Sequence, residues 1–306
     1  MSKKQLYNLL TKNVKGISDP KVFEYIQTLD WNTMSKEITK PKFTEKTKDI
    51  YYKWIVSSKL NSIRNLNIFP NQYFTSACTD SLNAFLFHHK NKRFRTFFGE
   101  YPYIKHQCQN LGLNFFYLDL DSKNEKFSTI DKNDAVIISC PFSATGTNHK
   151  NTEKLLSICS DLNIPVMVDM AYWGTCRNID IDLNWSCIES VCFSLSKAFN
   201  LGNIRFGIEF SKRTNHIHRK INDINYYNKL GAFYALKILK KFNSDYIQRK
   251  YRKSYSESCQ LLDLNETDVI LFALSNNKYK EFHRDSVVNR PCITQVVERQ
   301  ILTDSD

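Results

Sequence analysis

Short hydrophobic runs alternate with amphipathic segments from residue 79 to about residue 212. The runs are rich in β-branched and aromatic residues, which predicts buried strands, and the segments between them have helical spacing. The predicted helices are TDSLNAFLFHHK, YIKHQCQNLG and NTEKLLSICSDLN, and the predicted strands are FRTFFG, FFYLDLD, AVIISCP, VMVDMAY, CIESVCFS and RFGIEFS. This alternation predicts a large α/β domain with a mostly parallel sheet covered by helices on both faces.

The flanking regions have different patterns. Residues 1–70 are polar and contain short helical stretches around FEYIQTL and DIYYKWIVSSKL. Beyond residue 220, a long run has apolar residues at helical spacing, and a short mixed tail follows it. We therefore predict an N-terminal helical segment (1–70), a large α/β domain (71–212), and a long helix with a small α+β domain (213–306).

The net charge of +12 raises the question of nucleic-acid binding. The basic residues are widely spread, and no nucleic-acid motif surrounds the modest clusters at 88–95 and 248–254. We therefore do not expect nucleic acid as a partner.

The nine cysteines and the lengths of the apolar runs bear on the cellular compartment in which the protein is expected. The cysteines form no CxxC pairs and several lie in apolar strands, which predicts small buried side chains and no metal site. No apolar run approaches the roughly 18 residues of a membrane span, and the N-terminus lacks the pattern of a secretory signal. We expect a cytoplasmic protein with no membrane partner.

Polar side chains follow the predicted strands at positions where open α/β sheets bind ligands. Asp169 interrupts an apolar strand, and a buried carboxylate needs a partner or a function. Tyr172 follows that strand, Ser194 and Lys197 end a later strand, and Arg205 lies eight positions beyond the lysine. A lysine amine, a carboxylate and a phosphate-binding arginine are the groups that pyridoxal phosphate requires.

At these residues the chain resembles the aspartate-aminotransferase-like, fold-type I enzymes, which use pyridoxal 5′-phosphate. The resemblance covers roughly residues 70–210. It rests on SATGT at 143–147, where the family usually has NPTG, on DMAYWG at 169–174, and on SLSKAFNLGNIRFG at 194–207. It implies the family's transferase fold, its cofactor, and a homodimer with active sites at the interface.

The resemblance implies a role for each matched position. Lys197 is expected to form the Schiff base (aldimine) with the cofactor and to transfer the substrate proton. Asp169 is expected to pair with the pyridine nitrogen, and Tyr172 to donate a hydrogen bond to the ring phenolate oxygen. Ser194 and Arg205 are expected to bind the phosphate.

The segment FTSACTDSLNAF resembles the family's phosphate-binding turn, which leads into a helix. Ala77, Cys78 and Thr79 occupy the matching positions, and Thr79 is expected to be the N-terminal cap of that helix. The family's glycines are absent from this turn. In EYPYIKHQ, the resemblance implies that Tyr101 stacks on the cofactor ring.

Two further positions complete the expected site. Ser143 stands where the family has an asparagine that contacts the phenolate oxygen, and Arg290 in VVNRPCITQ is expected to bind the substrate α-carboxylate. Ser196 is a weaker phosphate candidate, because we expect it to point away from Ser194.

These residues favour an aminotransferase that acts on an amino acid and a 2-oxo acid. The same fold supports other reactions, so a lyase, decarboxylase or synthase is an alternative. A non-catalytic descendant is a second alternative, supported by the missing glycines and the short C-terminal region. The joint presence of Asp169, Lys197 and Arg205 argues against it.

Overall fold

The structure is a computed structural model that describes residues 3–118, 130–275, 278–284 and 288–303. Its helices are α1 (Lys3–Tyr7), α2 (Pro20–Gln27), α3 (Trp31–Ile38), α4 (Phe43–Val56), α5 (Cys78–His88), α6 (Pro102–Asn110), α7 (Thr152–Asp161), α8 (Leu195–Ala198), α9 (His216–Asp223), α10 (Lys229–Lys241), α11 (Tyr246–Leu262) and α12 (Thr294–Thr303). Its strands are β1 (Ser62–Arg64), β2 (Asn71–Thr75), β3 (Arg93–Thr96), β4 (Phe115–Tyr117), β5 (Asp134–Ser139), β6 (Val166–Asp169), β7 (Asp180–Asp182), β8 (Ile188–Ser194), β9 (Gly207–Ser211), β10 (His283–Arg284) and β11 (Val288–Asn289).

The central sheet contains seven strands in the order β2-β9-β8-β6-β5-β3-β4. Strand β9 runs antiparallel to β2 and β8, and the other neighbouring pairs are parallel. The carboxyl ends of β5, β6 and β8 therefore meet at one edge of the sheet. The prediction of an α/β fold with a mostly parallel sheet is confirmed.

Apolar side chains cover both faces of this sheet, because successive residues of a strand point to opposite sides. On one face, Ile137, Met167 and Cys192 belong to a cluster with residues of α5 and α6. On the other face, Val136 and Val168 belong to a larger cluster that includes residues of α4, α10 and α11. This two-sided burial explains the continuous apolar runs at 135–138 in β5, 166–168 in β6 and 191–193 in β8.

The structure corrects several element assignments. The segment 71–75 forms the edge strand β2, which was not predicted, and the predicted strand FFYLDLD forms β4 over Phe115–Tyr117, with its positions 119–121 outside the described residues. The helical run past residue 220 is divided into α9, α10 and α11. Asn228 starts α10 by accepting a hydrogen bond from Gly231 N, and the extended backbone of Phe242 ends it. The three-part division of the chain stays a prediction.

Among the described residues, no helix combines the length and the apolar character that a membrane crossing requires.

Candidate active site

A cavity of about 400 Å³ opens at the carboxyl ends of β5, β6 and β8. All the candidate residues from the sequence line it: Ala77, Cys78, Thr79, Tyr101, Ser143, Asp169, Tyr172, Ser194, Lys197, Arg205 and Arg290. The structure thus brings together side chains that are up to 213 positions apart in the chain. The individual roles given to these residues stay predictions.

Asp169 is the last residue of β6, and its carboxylate is buried below the cavity. The Oδ1 atom accepts a hydrogen bond from Ala171 N at 2.9 Å, and the Cys192 thiol lies 3.8 Å from the same oxygen. Burial raises the pKa of Asp169, while hydrogen bonds from Cys78, Ala171 and Cys192 lower it in part. Because the two thiols are weak donors, the carboxylate can still accept a hydrogen bond from a cationic or N–H partner in the cavity.

Lys197 lies in α8, the single helical turn that follows β8. Its side chain is half-buried, and its Nζ atom donates a hydrogen bond to the carbonyl of Val14. The N-terminal segment packs closely here: a Cβ atom on Gly16 would lie 2.7 Å from the Lys197 carbonyl oxygen and 2.8 Å from Asn200 Cα. The amine therefore faces the cavity between the sheet and residues 13–16.

The first turn of α5 and the Arg205 side chain form a cationic cup at one end of the cavity. Arg205 donates to the Ser76 carbonyl at 3.1 Å, to Thr79 Oγ1 at 3.4 Å and to Ser196 Oγ at 3.5 Å. Ser194 Oγ donates to Ser196 Oγ at 2.9 Å. Together with the free N–H groups of a helix N-terminus, these groups suit a phosphate.

Two expectations about this cup are wrong. Ser196 does not point away from Ser194: residues two apart in a strand share a face, and the two hydroxyl oxygens lie 2.9 Å apart where the strand ends at Ser194 and the chain turns into α8. Thr79 is not the N-terminal cap of α5: that position is Ala77, and no side chain caps it with a hydrogen bond. The Thr79 hydroxyl contacts Arg205 instead.

Ala77 has a backbone conformation that is essentially restricted to glycine, with φ 69° and ψ 179°. The backbone at Gly207 packs closely against Ala77. A Cβ atom on Gly207 would lie 2.9 Å from Ala77 Cα and 2.5 Å from the Phe193 carbonyl oxygen. An alanine at this position therefore places strain in the turn.

We predict that Ala77→Gly stabilises the protein by about 1 kcal/mol, because glycine adopts this conformation without a Cβ clash. Urea unfolding measures the change. Ala84→Gly, in the middle of α5, is the matched control and should destabilise the protein by about 1 kcal/mol or more. A loss of stability in Ala77→Gly that equals the loss in the control would contradict the strained conformation.

A buried charged group supports the cup from below. His218 in α9 is 2% exposed, with Nδ1 2.9 Å from Glu209 Oε2 and Nε2 3.6 Å from Asp80 Oδ2. Asp80 Oδ2 in turn accepts a hydrogen bond from Ser76 N at 3.0 Å. Burial alone would lower the pKa of His218, but the hydrogen bonds and charges of Asp80 and Glu209 raise it to about 9.

We predict that the charge of His218 stabilises the fold up to alkaline pH. The pKa of His218 is raised from an ordinary 6.5 to about 9. Its contribution is therefore fully present below about pH 6.5 and is lost as the pH rises through 9. His218→Gln should lose on the order of 3 kcal/mol of unfolding free energy at pH 6 and much less above pH 10. Urea unfolding across this pH range measures the unfolding free energies of wild type and variant, with His106→Gln at an exposed histidine as the control. An equal loss of unfolding free energy in His218→Gln at every pH would contradict the prediction.

Arg290 lies at the opposite end of the cavity and is 2% exposed. Its guanidinium donates to the Ser143 carbonyl and, at 3.3 Å, to the Tyr172 hydroxyl, and it stacks on Phe272 with 4.5 Å between the guanidinium carbon and the ring centroid. The buried Nε atom has no hydrogen-bond partner among the described residues. A planar carboxylate can accept hydrogen bonds from such a guanidinium edge.

Tyr101 is the residue before α6 and is 39% exposed, with its ring stacked on Tyr103 at 5.7 Å between centroids. The preceding residue, Glu100, was not identified from the sequence. Its buried carboxyl group accepts hydrogen bonds from Ser139 N at 2.7 Å and Ser139 Oγ at 2.6 Å, and Ser139 lines the cavity. Burial raises the pKa of Glu100 to about 7, against the lowering effect of these hydrogen bonds.

Other lining residues also went unidentified: Asn13, Val14, Lys15, Gly16, Leu82, Ser139, Ala171, Asn200 and Gly202. The N-terminal residues reach the cavity because Thr11 forms an antiparallel bridge with Cys292, close to Arg290. No local pattern in the sequence indicates this long-range contact.

Residues 58–263 match the family described as "Aminotransferase class I and II", and the chain belongs to this family. A comparison with curated proteins gives no significant match. The family's cofactor is pyridoxal 5′-phosphate, as the resemblance implied.

Solved structures show the same fold at low sequence identity. The tyrosine aminotransferase of Leishmania infantum has a TM-score of 0.68 and 14% identity, over 97% of this chain and 95% of that chain. A PLP-bound C-S lyase of Staphylococcus hominis has a TM-score of 0.68 and 13% identity, over 95% and 85%. The histidinol-phosphate aminotransferase of Clostridium acetobutylicum has a TM-score of 0.61 and 16% identity, over 95% and 98%.

Proposed function

We propose that this protein is a pyridoxal-phosphate-dependent aminotransferase that acts on an amino acid and a 2-oxo acid. The observation that carries the proposal is the buried Arg290 guanidinium, whose Nε atom has no hydrogen-bond partner among the described residues and which lines the same cavity as Lys197. An unpaired guanidinium edge inside a cavity favours a carboxylate-bearing substrate.

The charges around the cavity fit such ligands. Of the described residues that line it, Lys15, Lys197, Arg205 and Arg290 are cationic, whereas Asp169 is the single carboxylate. A phosphate dianion and a substrate carboxylate would balance this excess of positive charge. The buried Asp169 carboxylate, whose pKa is raised by burial, would be stabilised by a protonated ring nitrogen.

Each end of the cofactor has candidate partners in the cavity. The cup of Ala77, Thr79, Ser194, Ser196 and Arg205 would hold the phosphate, with the N–H groups at the start of α5 directed towards it. Asp169 would hold the pyridine nitrogen.

On the remaining sides of the ring, Tyr101 would cover one face, and Tyr172 and Ser143 would lie near the phenolate oxygen. When bound, pyridoxal 5′-phosphate withdraws electrons from the substrate α-carbon and so stabilises the carbanion formed there.

Lys197 would hold the cofactor aldehyde covalently at rest and then carry the substrate proton as a general base and acid. Its position on a short helix beside the buried core of β8 restricts where the amine can reach. Arg290 would bind the α-carboxylate with its planar guanidinium, which fixes the orientation of the substrate α-carbon relative to Lys197. This orientation favours removal of the α-proton, the first step of transamination, over loss of the α-carboxylate as CO₂.

We also propose that the protein is a homodimer, as expected from the family resemblance. A lyase reaction is the second candidate, since it would use the same Lys197 and Asp169 and differ in the fate of the substrate after proton removal.

We predict that the wild-type protein interconverts the pyridoxal and pyridoxamine forms of its cofactor in half-reactions with an amino acid and a 2-oxo acid. Arg290→Lys should raise KM for both substrates by about 10- to 100-fold, because lysine keeps the charge but loses the planar pair of donors. Single-turnover absorbance and steady-state kinetics measure the two effects.

Arg219→Lys, at an exposed arginine in α9, is the matched control and should leave KM unchanged. Release of ammonia or CO₂ without any pyridoxamine form would contradict the aminotransferase proposal. An unchanged KM in Arg290→Lys would instead show that another group binds the carboxylate.

A further inference from the structure

A second cluster of potential ligands lies at the end of the sheet opposite the candidate active site. His88 and His89 are at the carboxyl end of α5, and Glu189 is the second residue of β8, whose last residue lines the active-site cavity. One imidazole nitrogen from each histidine and one Glu189 carboxylate oxygen all lie within 4.8 Å of one another.

The distances in this cluster suit ligands of one small cation. His89 Nε2 is 3.2 Å from Glu189 Oε2. Nitrogen and oxygen ligands lie about 2.0–2.2 Å from a tetrahedral zinc ion, which separates two ligands by about 3.3–3.5 Å. The side chains would therefore need only small movements to share an ion.

The space beside the cluster is the size of one bound ion or water. A cavity of about 20 Å³ is lined by His88 and Glu189, and by Arg213 on the far side. This volume exceeds the roughly 10–15 Å³ that one water molecule requires. The buried Glu189 Oε2 atom has no hydrogen-bond partner among the described residues, although His89 and Arg213 lie within ion-pair distance of it, whereas Glu189 Oε1 pairs with His89 Nε2 at 3.3 Å.

We propose that His88, His89 and Glu189 form a site for one divalent transition-metal ion. Two imidazoles and one carboxylate suit Zn²⁺, Co²⁺, Ni²⁺ or Cu²⁺, whereas Mg²⁺ and Ca²⁺ prefer oxygen ligands throughout. Water would complete the coordination from the adjoining cavity. The sequence prediction of no metal site considered the cysteines and overlooked this cluster, because its histidines and glutamate are 100 positions apart.

Arg213 competes with the metal ion for Glu189. Its Nε atom lies 3.4 Å from Glu189 Oε2, and its side chain is 62% exposed. An exposed arginine can move into solvent when a divalent ion occupies the site, but its charge opposes binding. The affinity for the metal therefore depends on a side chain that is not a ligand, and this provides an independent test.

The test is a titration of the PLP-loaded, full-length protein with Zn²⁺ in competition with a chromophoric chelator. We expect one site per chain that excess Mg²⁺ does not displace. His88→Ala and Glu189→Gln should each weaken Zn²⁺ binding at least 10-fold, and Arg213→Ala should strengthen it several-fold. His106→Ala removes an exposed histidine on α6 and should bind Zn²⁺ as the wild type does.

Two further measurements distinguish the loss of a metal ligand from the loss of the folded structure. Thermal unfolding of the metal-free variants shows whether each one folds, and Co²⁺ absorption bands report nitrogen and oxygen ligation directly. Equal Zn²⁺ affinity in wild type and folded His88→Ala would overturn the proposal, as would weaker binding in Arg213→Ala.

Discussion

The structure depends on the burial of one carboxylate at the end of a central strand. Asp169 lies in the middle of the sheet between apolar neighbours, where an ionised group is costly unless it is paired. A backbone N–H and two thiols compensate only part of this cost. Asp169 lines the cavity, and the protonated pyridine nitrogen that we propose as its partner there would supply the remaining compensation.

The phosphate cup shows how the fold holds an anion-binding site in place. The turn before α5 is strained at Ala77 and has the Gly207 backbone directly beside it. The buried His218, between Asp80 and Glu209, connects α9, the start of α5 and strand β9. The buried charge network therefore holds the turn that we propose to bind the cofactor phosphate, through the hydrogen bond from Ser76 N to Asp80.

Some features of the site follow directly from local sequence. Asp169 ends the apolar run of β6, and Lys197 closely follows the apolar residues 191–193 of β8, so that both stand out as polar residues, and the parallel sheet places these strand ends together. The position of Arg290 depended on a short resemblance, and the structure places this residue in the same cavity.

Other features could not be predicted, because distant segments create them. Residues 13–16 reach Lys197 through contacts between distant parts of the chain, such as the bridge of Thr11 to Cys292 and the hydrogen bond of Asn200 to Ser18. Ser196 joins the cup through its hydroxyl, which lies 2.9 Å from Ser194 Oγ and 3.5 Å from the Arg205 guanidinium. The cluster around Glu189 likewise arises where the end of α5 meets the start of β8.

The most direct test of this account is borohydride reduction of the PLP-loaded protein, followed by peptide mapping. We predict one pyridoxyl group per chain, on the peptide that contains Lys197, and no such label in Lys197→Ala. Labelling of a different lysine, such as Lys15 in the same cavity, or a failure to take up the cofactor at all, would contradict the central claim that Lys197 and Asp169 define a pyridoxal-phosphate site.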